Sequence, residues 1–203
     1  MKKVRPGLYI GNQFDAFYFL TGKHRGVTHI LSVVPLCPGH EFSTPLGPPR
    51  DNAIVYKIAA ELDTKCADFD GAIVRKVIPV EDSHDENLLE HLEDALKFID
   101  EGVNKGIVLV HCGGGISRSA SVVIAYLMWK EKLSASEALA SLRKCSPTVK
   151  PNSGFMKQLQ VFESSGCVVR VHGKKEHNRR TKAMKTCRIC NRVAPSEEFL
   201  ICP

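Results

Sequence analysis

Apolar positions along the chain fall into two periodicities, and their alternation outlines a fold. Thr28–Val34, Ala72–Val80 and Ile107–Val110 are short, β-rich apolar runs, which predict strands. Leu8-Tyr9-Ile10-Gly11 predicts a further short strand and turn. Leu88, Leu89, Leu92, Ala95, Leu96 and Ile99 recur at helical spacing, so an amphipathic helix is expected over 87–101, ending near Gly102. A longer apolar run predicts a helix over 118–131. Ser134-Ala135-Ser136-Glu137 is a capping box that opens another, to about Lys144. Asn152 or Ser153 can cap one from Gly154 to Glu163, and Asp15–Leu20 can begin one. Ile54–Leu62 fits strand or helix equally, and Pro35, Pro38, Pro45, Pro48 and Pro49 mark an irregular surface loop. No internal repeat is evident. Strands alternate with helices, which predicts the α/β class with a central, mostly parallel sheet flanked by helices.

Composition limits the picture further. A chain of 203 residues, 43% hydrophobic and 25% charged, suits one globular domain with an appendage. No apolar run approaches the roughly 18 residues of a membrane span, and none of signal-peptide length follows the charged start, so no membrane partner is expected. The eight cysteines are scattered, so they read as reduced thiols and metal ligands rather than a disulfide framework, and a cytoplasmic or nuclear location is expected. The net charge of +6 sits in one place. Residues 1–167 carry 19 basic and 19 acidic side chains, whereas residues 168–203 carry nine and three. A neutral body over 1–166 and a basic tail over 167–203 are therefore expected.

The chemistry concentrates between the last strand and the 118–131 helix, in His111-Cys112-Gly113-Gly114-Gly115-Ile116-Ser117-Arg118-Ser119. A tight glycine loop between strand and helix aims backbone N–H groups at one point, with the positive end of a helix dipole behind them. Such a point binds an oxyanion such as phosphate. A helix N-terminus and nearby positive charge favour the thiolate of Cys112, which can attack phosphorus directly. Arg118 can hold two phosphate oxygens in its planar fork. Backbone N–H groups of Gly113, Gly114, Gly115, Ile116, Ser117 and Arg118 bind the remaining charge, and the three glycines let the backbone curl close. Ser119 can donate a hydrogen bond to the sulfur, and His111 is expected to hold the loop through the backbone.

Dephosphorylation also needs an acid for the departing oxygen. The acidic stretch Glu81-Asp82-Ser83-His84-Asp85-Glu86 follows a predicted strand and precedes a predicted helix. Its order leaves Asp82 and Asp85 as competing candidates, with Glu81 and Glu86 behind them.

The nine-residue loop resembles the signature of the dual-specificity phosphatases, in the cysteine-based tyrosine phosphatase superfamily. Gly7–Gly11 and Val27–Leu31 resemble that family's opening strands, Ala125–Met128 its helix after the loop, and Pro151-Asn152-Ser153-Gly154-Phe155 its later turn. The resemblance covers about residues 4–165. It implies a dual-specificity phosphatase-like fold, phosphoprotein substrates carrying phosphotyrosine, phosphoserine or phosphothreonine, a phosphocysteine intermediate, and no cofactor for catalysis. It maps the proton donor onto Asp82, the first aspartate after the strand. Gly113-Gly114 departs from the family's commoner larger residue and alanine, and residues 35–70 are longer than the family core. The uncharged interior 113–117 argues against inositol lipids, whose phosphatases carry lysines there.

The tail offers a second chemistry. Lys174-Lys175…Arg179-Arg180-Thr181-Lys182 suits a nuclear-import signal or contact with RNA phosphates; the absence of aromatic residues between 163 and 198 argues against base stacking. Cys187-Arg188-Ile189-Cys190 has the spacing of half a zinc site, with Cys202 as third ligand and Cys167, His172 or His177 as candidates for the fourth. A subgroup of atypical dual-specificity phosphatases, associated with ribosome maturation, carries a C-terminal zinc-binding region, and this tail resembles its beginning. Two other functions compatible with these features are an RNA 5′-triphosphatase and a ribonucleoprotein-binding assembly factor acting through the tail.

Overall fold

The period-two runs build one sheet. In a computed structural model that describes residues 1–20, 26–35 and 73–168, plus the backbone of 184–186 and 193–195, strands β1 (Lys2–Arg5), β2 (Leu8–Gly11), β3 (His29–Val34), β4 (Val74–Pro79) and β5 (Val108–His111) lie in the order β1-β2-β5-β3-β4. β1 pairs antiparallel with β2, and the other three pairings are parallel. The expected mostly parallel sheet is present. Side chains alternate across it, as a pleated strand requires. Leu31, Val33, Val108 and Val110 enter a large core, while Ile30 and Leu109 enter a smaller one with Ala16 and Val27.

Helix α1 (Gln13–Leu20) covers the smaller core, and α2 (Leu89–Lys105), α3 (Arg118–Glu131), α4 (Ala135–Cys145) and α5 (Ser153–Ser164) build the larger one. In α3 every residue from Ser119 to Met128 is buried, which is why its sequence is apolar all round rather than striped. Among the described residues, no helix is long and apolar enough to cross a membrane.

Two boundaries differ from expectation. α2 runs through Gly102 to Lys105. Gly102 is there for packing, because a Cβ would meet Val108 Cγ2 at 2.5 Å and His29 Cγ at 3.0 Å. The helix stops instead at Gly106, whose N–H donates to the Gly102 carbonyl. β1 was not expected as a strand, since only Val4 of its four residues is buried. The proline-rich segment after Pro35, Ile54–Leu62 and most of the tail lie outside the described residues. Within the tail, β6 (Met184–Thr186) and β7 (Val193–Pro195) pair antiparallel.

The topology places the site. β4 occupies the sheet edge, and α2 carries the chain back past β3 to β5. β4 and β5 run parallel to β3, so Val80-Glu81-Asp82 and His111-Cys112 leave the sheet at the same carboxyl edge, where open α/β sheets bind ligands.

Candidate active site

β5 delivers Cys112 into the turn before α3, where the residue is only 2% exposed. Its Sγ accepts two hydrogen bonds, from the Gly115 N–H at 3.2 Å and the Ser119 hydroxyl at 3.2 Å. Both donors stabilise negative charge on sulfur, and neither can act as a base toward it. The structure therefore brings Ser119 to the sulfur, as expected.

His111 sits beneath. Burial pushes its imidazole down to about 4, with the Arg118 charge adding to the effect and the Cys112 carbonyl and Asp15 opposing it. The ring is neutral at pH 7 and carries one proton. Nδ1 faces the Cys112 carbonyl at 3.4 Å, which can only accept, so Nδ1 holds the proton. Nε2 then accepts from the Ser32 hydroxyl at 2.7 Å. His111 thus ties the loop's first peptide to β3, consistent with the expected backbone role.

Of the three glycines, Gly115 alone is conformationally required. Its φ is 71°, and a Cβ would lie 2.8 Å from the Gly11 carbonyl oxygen. Gly113 is not in the left-handed region, and a Cβ at Gly114 would meet only the Ile116 side chain, at 3.4 Å. The loop is also stitched from outside. Gln13 N–H donates to the Gly113 carbonyl at 3.1 Å, and Lys150 N–H to that of Ile116 at 2.9 Å. Ile116 is 44% exposed and forms part of the rim. Gly115→Ala is expected to lower kcat/KM for an aryl phosphate by about 10²-fold, because small displacements of reacting groups cost that much. Gly114→Ala is expected to stay within about twofold of the wild type. Steady-state kinetics on the two variants checks both.

The first turn of α3 holds no acidic residue, and Ser117 does not cap it. The Ser117 hydroxyl is used elsewhere. It donates to Asp82 Oδ1 at 2.7 Å and accepts the Asn152 N–H at 3.1 Å. The uncapped helix N-terminus remains open to an anion. Arg118 has an 11% exposed side chain, with Nε 3.9 Å from Asp82 Oδ2. Among the described residues that buried nitrogen has no hydrogen-bond partner, an arrangement that suits an incoming phosphate oxygen.

Asp82 is tied to this loop through Ser117. Asn152 Nδ2 also donates to Oδ1, at 2.9 Å, and to the Ser83 carbonyl at 3.2 Å. With Oδ1 accepting from both Ser117 and Asn152, a protonated Asp82 carries its proton on Oδ2, the oxygen on the Arg118 side. Asp85, the competing candidate, makes its described hydrogen bond within its own loop, to Ser83 Oγ at 3.5 Å. The second use of Asn152 was not anticipated. Its sequence position signals a helix cap, which it also is, through Oδ1 and the Phe155 N–H at 2.9 Å.

The expected zinc ligands Cys187, Cys190 and Cys202 lie outside the described residues, as do the basic tail residues proposed for RNA phosphates. Among the described residues, no cluster of three metal-ligating side chains occurs.

Comparison with known proteins agrees with this geometry. Residues 49–165 match the family model described as dual specificity phosphatase, catalytic domain. Human "Dual specificity protein phosphatase 22" is 35% identical over 164 residues, covering 80% of this chain and 73% of that protein. Human "Dual specificity protein phosphatase 4" is 32% identical over 163 residues, covering 80% of this chain but 34% of that protein. The chain thus spans about a third of the length of that larger relative. Among solved structures, the human tyrosine phosphatase-like serine/threonine/tyrosine-interacting protein superposes with a TM-score of 0.61 at 26% identity, over 83% of this chain and 98% of that one.

Proposed function

The chain belongs to the dual specificity phosphatases, and from that premise we propose that it hydrolyses phosphotyrosine and phosphoserine or phosphothreonine in proteins through a phosphocysteine intermediate. One observation carries this reading: a buried sulfur accepts two hydrogen bonds at a helix N-terminus, on the loop that Ser117 ties to the Asp82 carboxylate, and Arg118 lies 3.9 Å from that carboxylate.

In the proposed reaction the Cys112 thiolate attacks phosphorus while Arg118 and the loop N–H groups hold the phosphoryl oxygens. The proton on Asp82 Oδ2 passes to the leaving oxygen. Water then attacks the phosphocysteine, giving its proton to Asp82, and the sulfur departs toward the Ser119 hydroxyl and Gly115 N–H. Every step uses groups of this chain. The breadth of substrate is supported by Asp82, whose side chain is 41% exposed, since a proton donor near the surface can meet a short alkyl ester as well as a phenol.

A panel of phosphotyrosyl, phosphoseryl and phosphothreonyl peptides, read by released phosphate, tests the proposal. Turnover of both phenol and alkyl esters is expected. Release from RNA 5′-triphosphate with no action on any phosphopeptide would overturn it. For the tail, we infer contact with RNA or ribonucleoprotein phosphates, a structural zinc on Cys187, Cys190 and Cys202, and a cytoplasmic or nuclear location. These rest on charge and spacing in the sequence. Removing 168–203 is expected to abolish RNA binding and leave hydrolysis intact; elemental analysis showing no zinc would remove the metal from the account.

A further inference from the structure

The acid loop, residues 81–88, contacts one helix at several successive points. Asn152 holds Asp82 and the Ser83 carbonyl. Ser153 Oγ lies 2.9 Å from His84 Nδ1. Gly154 is the seat for the His84 peptide: a Cβ there would stand 2.0 Å from the carbonyl oxygen and 2.8 Å from Cα, backbone that cannot yield as a flexible side chain can. One turn further along α5, the Gln158 side chain donates through Nε2 to the Glu86 carbonyl at 2.7 Å. Its Oε1 accepts from the Leu88 N–H at 2.7 Å and the Leu89 N–H at 3.3 Å.

The last two bonds supply something α2 lacks. Its N-cap position is Leu88, which has no side chain able to cap, so the first N–H groups would go unpaired. Gln158 caps them from another helix. The same amide grips the carbonyl of Glu86, at the end of the acid loop. A single side chain therefore joins the C-terminal end of that loop, the start of α2 and the helix whose Asn152 holds the Asp82 carboxylate.

We propose that Gln158 and Gly154 are positioning residues for proton transfer: they clamp the acid loop onto the first two turns of α5, so that Asp82 stands over the phosphate loop before substrate arrives. The proposal deepens the reading of Asp82 as proton donor and rests on it. Gln158 touches no reacting atom and acts through the loop backbone. Proton transfer in the transition state is sensitive to such displacement, whereas nucleophilic attack by Cys112 is held by a separate set of bonds.

That separation gives the test. The ratio of kcat/KM for a good leaving group (p-nitrophenyl phosphate) to that for a poor one (phenyl phosphate) is measured on the same sample, so the fraction of folded enzyme cancels. Asp82→Asn is expected to raise the ratio about 10²-fold, the scale of general acid catalysis. Gln158→Leu is expected to raise it about tenfold, and Gly154→Ala by a comparable amount. Gln158→Glu keeps an acceptor for the two α2 N–H groups and loses the donor to Glu86; it is expected to raise the ratio about threefold, and it serves if the leucine variant does not fold. An unchanged ratio in the folded Gln158 and Gly154 variants, with the expected rise in Asp82→Asn, overturns the clamp alone. An unchanged ratio in Asp82→Asn overturns the assignment of the acid, and the clamp with it.

Discussion

Cys112→Ser is expected to lower kcat/KM for aryl phosphates by at least about 10⁴-fold, the scale seen when a covalent nucleophile is removed. The reason lies in what surrounds the sulfur. A serine hydroxyl is a weak nucleophile unless a base takes its proton. Among the described residues no base is hydrogen-bonded to the reacting atom: His111 donates through Nδ1 to the Cys112 carbonyl and accepts through Nε2 from Ser32. Gly115 N–H and the Ser119 hydroxyl are donors to the reacting atom. Hydrogen bonds that point toward the sulfur suit a thiolate nucleophile and offer nothing to a neutral hydroxyl. Phosphate binding should survive, because Arg118, the loop N–H groups and the α3 N-terminus are untouched. Competitive inhibition cannot be read on an inactive enzyme, so calorimetric titration with inorganic phosphate or vanadate is the check.

The second large effect is expected at Arg118. Arg118→Lys should lower kcat/KM by about 10³-fold, in the range found when one preorganised oxyanion donor is lost. Charge is conserved in this substitution, so a purely electrostatic role would leave most of the activity. The loss is expected because lysine presents a point charge, whereas the guanidinium fork can meet two phosphoryl oxygens at once. Nε, buried and without a hydrogen-bond partner among the described residues, marks one arm of that fork. Steady-state kinetics should show a raised KM together with a lowered kcat. Activity within tenfold of wild type would remove bidentate binding from the mechanism.

Much of the site was legible because its parts are contiguous. The run from β5 through Arg118 into α3 is one stretch of chain, and its periodicity changes where the loop begins and ends. The capping box at Ser134 and Glu137 works as read: the Glu137 N–H donates to Ser134 Oγ at 3.2 Å, and the Ser134 N–H to Glu137 Oε2 at 2.9 Å. The resemblance chose Asp82 over Asp85, and the structure places Asp82 within hydrogen-bond reach of Ser117 and Asn152.

Other parts were hidden because they depend on contacts between distant segments. Ser117 looked like one more N–H in the phosphate loop, yet its hydroxyl serves a residue 35 positions earlier. Gln158 sits at an ordinary place on an amphipathic helix, and nothing local signals that it caps another helix 70 residues away. Gly102 looked like a helix end and proved to be a contact surface. The three-glycine run resolved into a single required glycine, Gly115, because only there do backbone angle and a neighbouring carbonyl both forbid a side chain.

The central claim is that phosphorus passes through Cys112. Rapid acid quench during turnover, followed by mass spectrometry of the peptide that contains Cys112, measures this directly. The account predicts an added PO₃ group on Cys112 in the wild type, more of it in Asp82→Asn because Asp82 also serves the hydrolytic step, and none in Cys112→Ser. Sustained turnover with no adduct on Cys112 at any quench time, together with appreciable activity in Cys112→Ser, would contradict it.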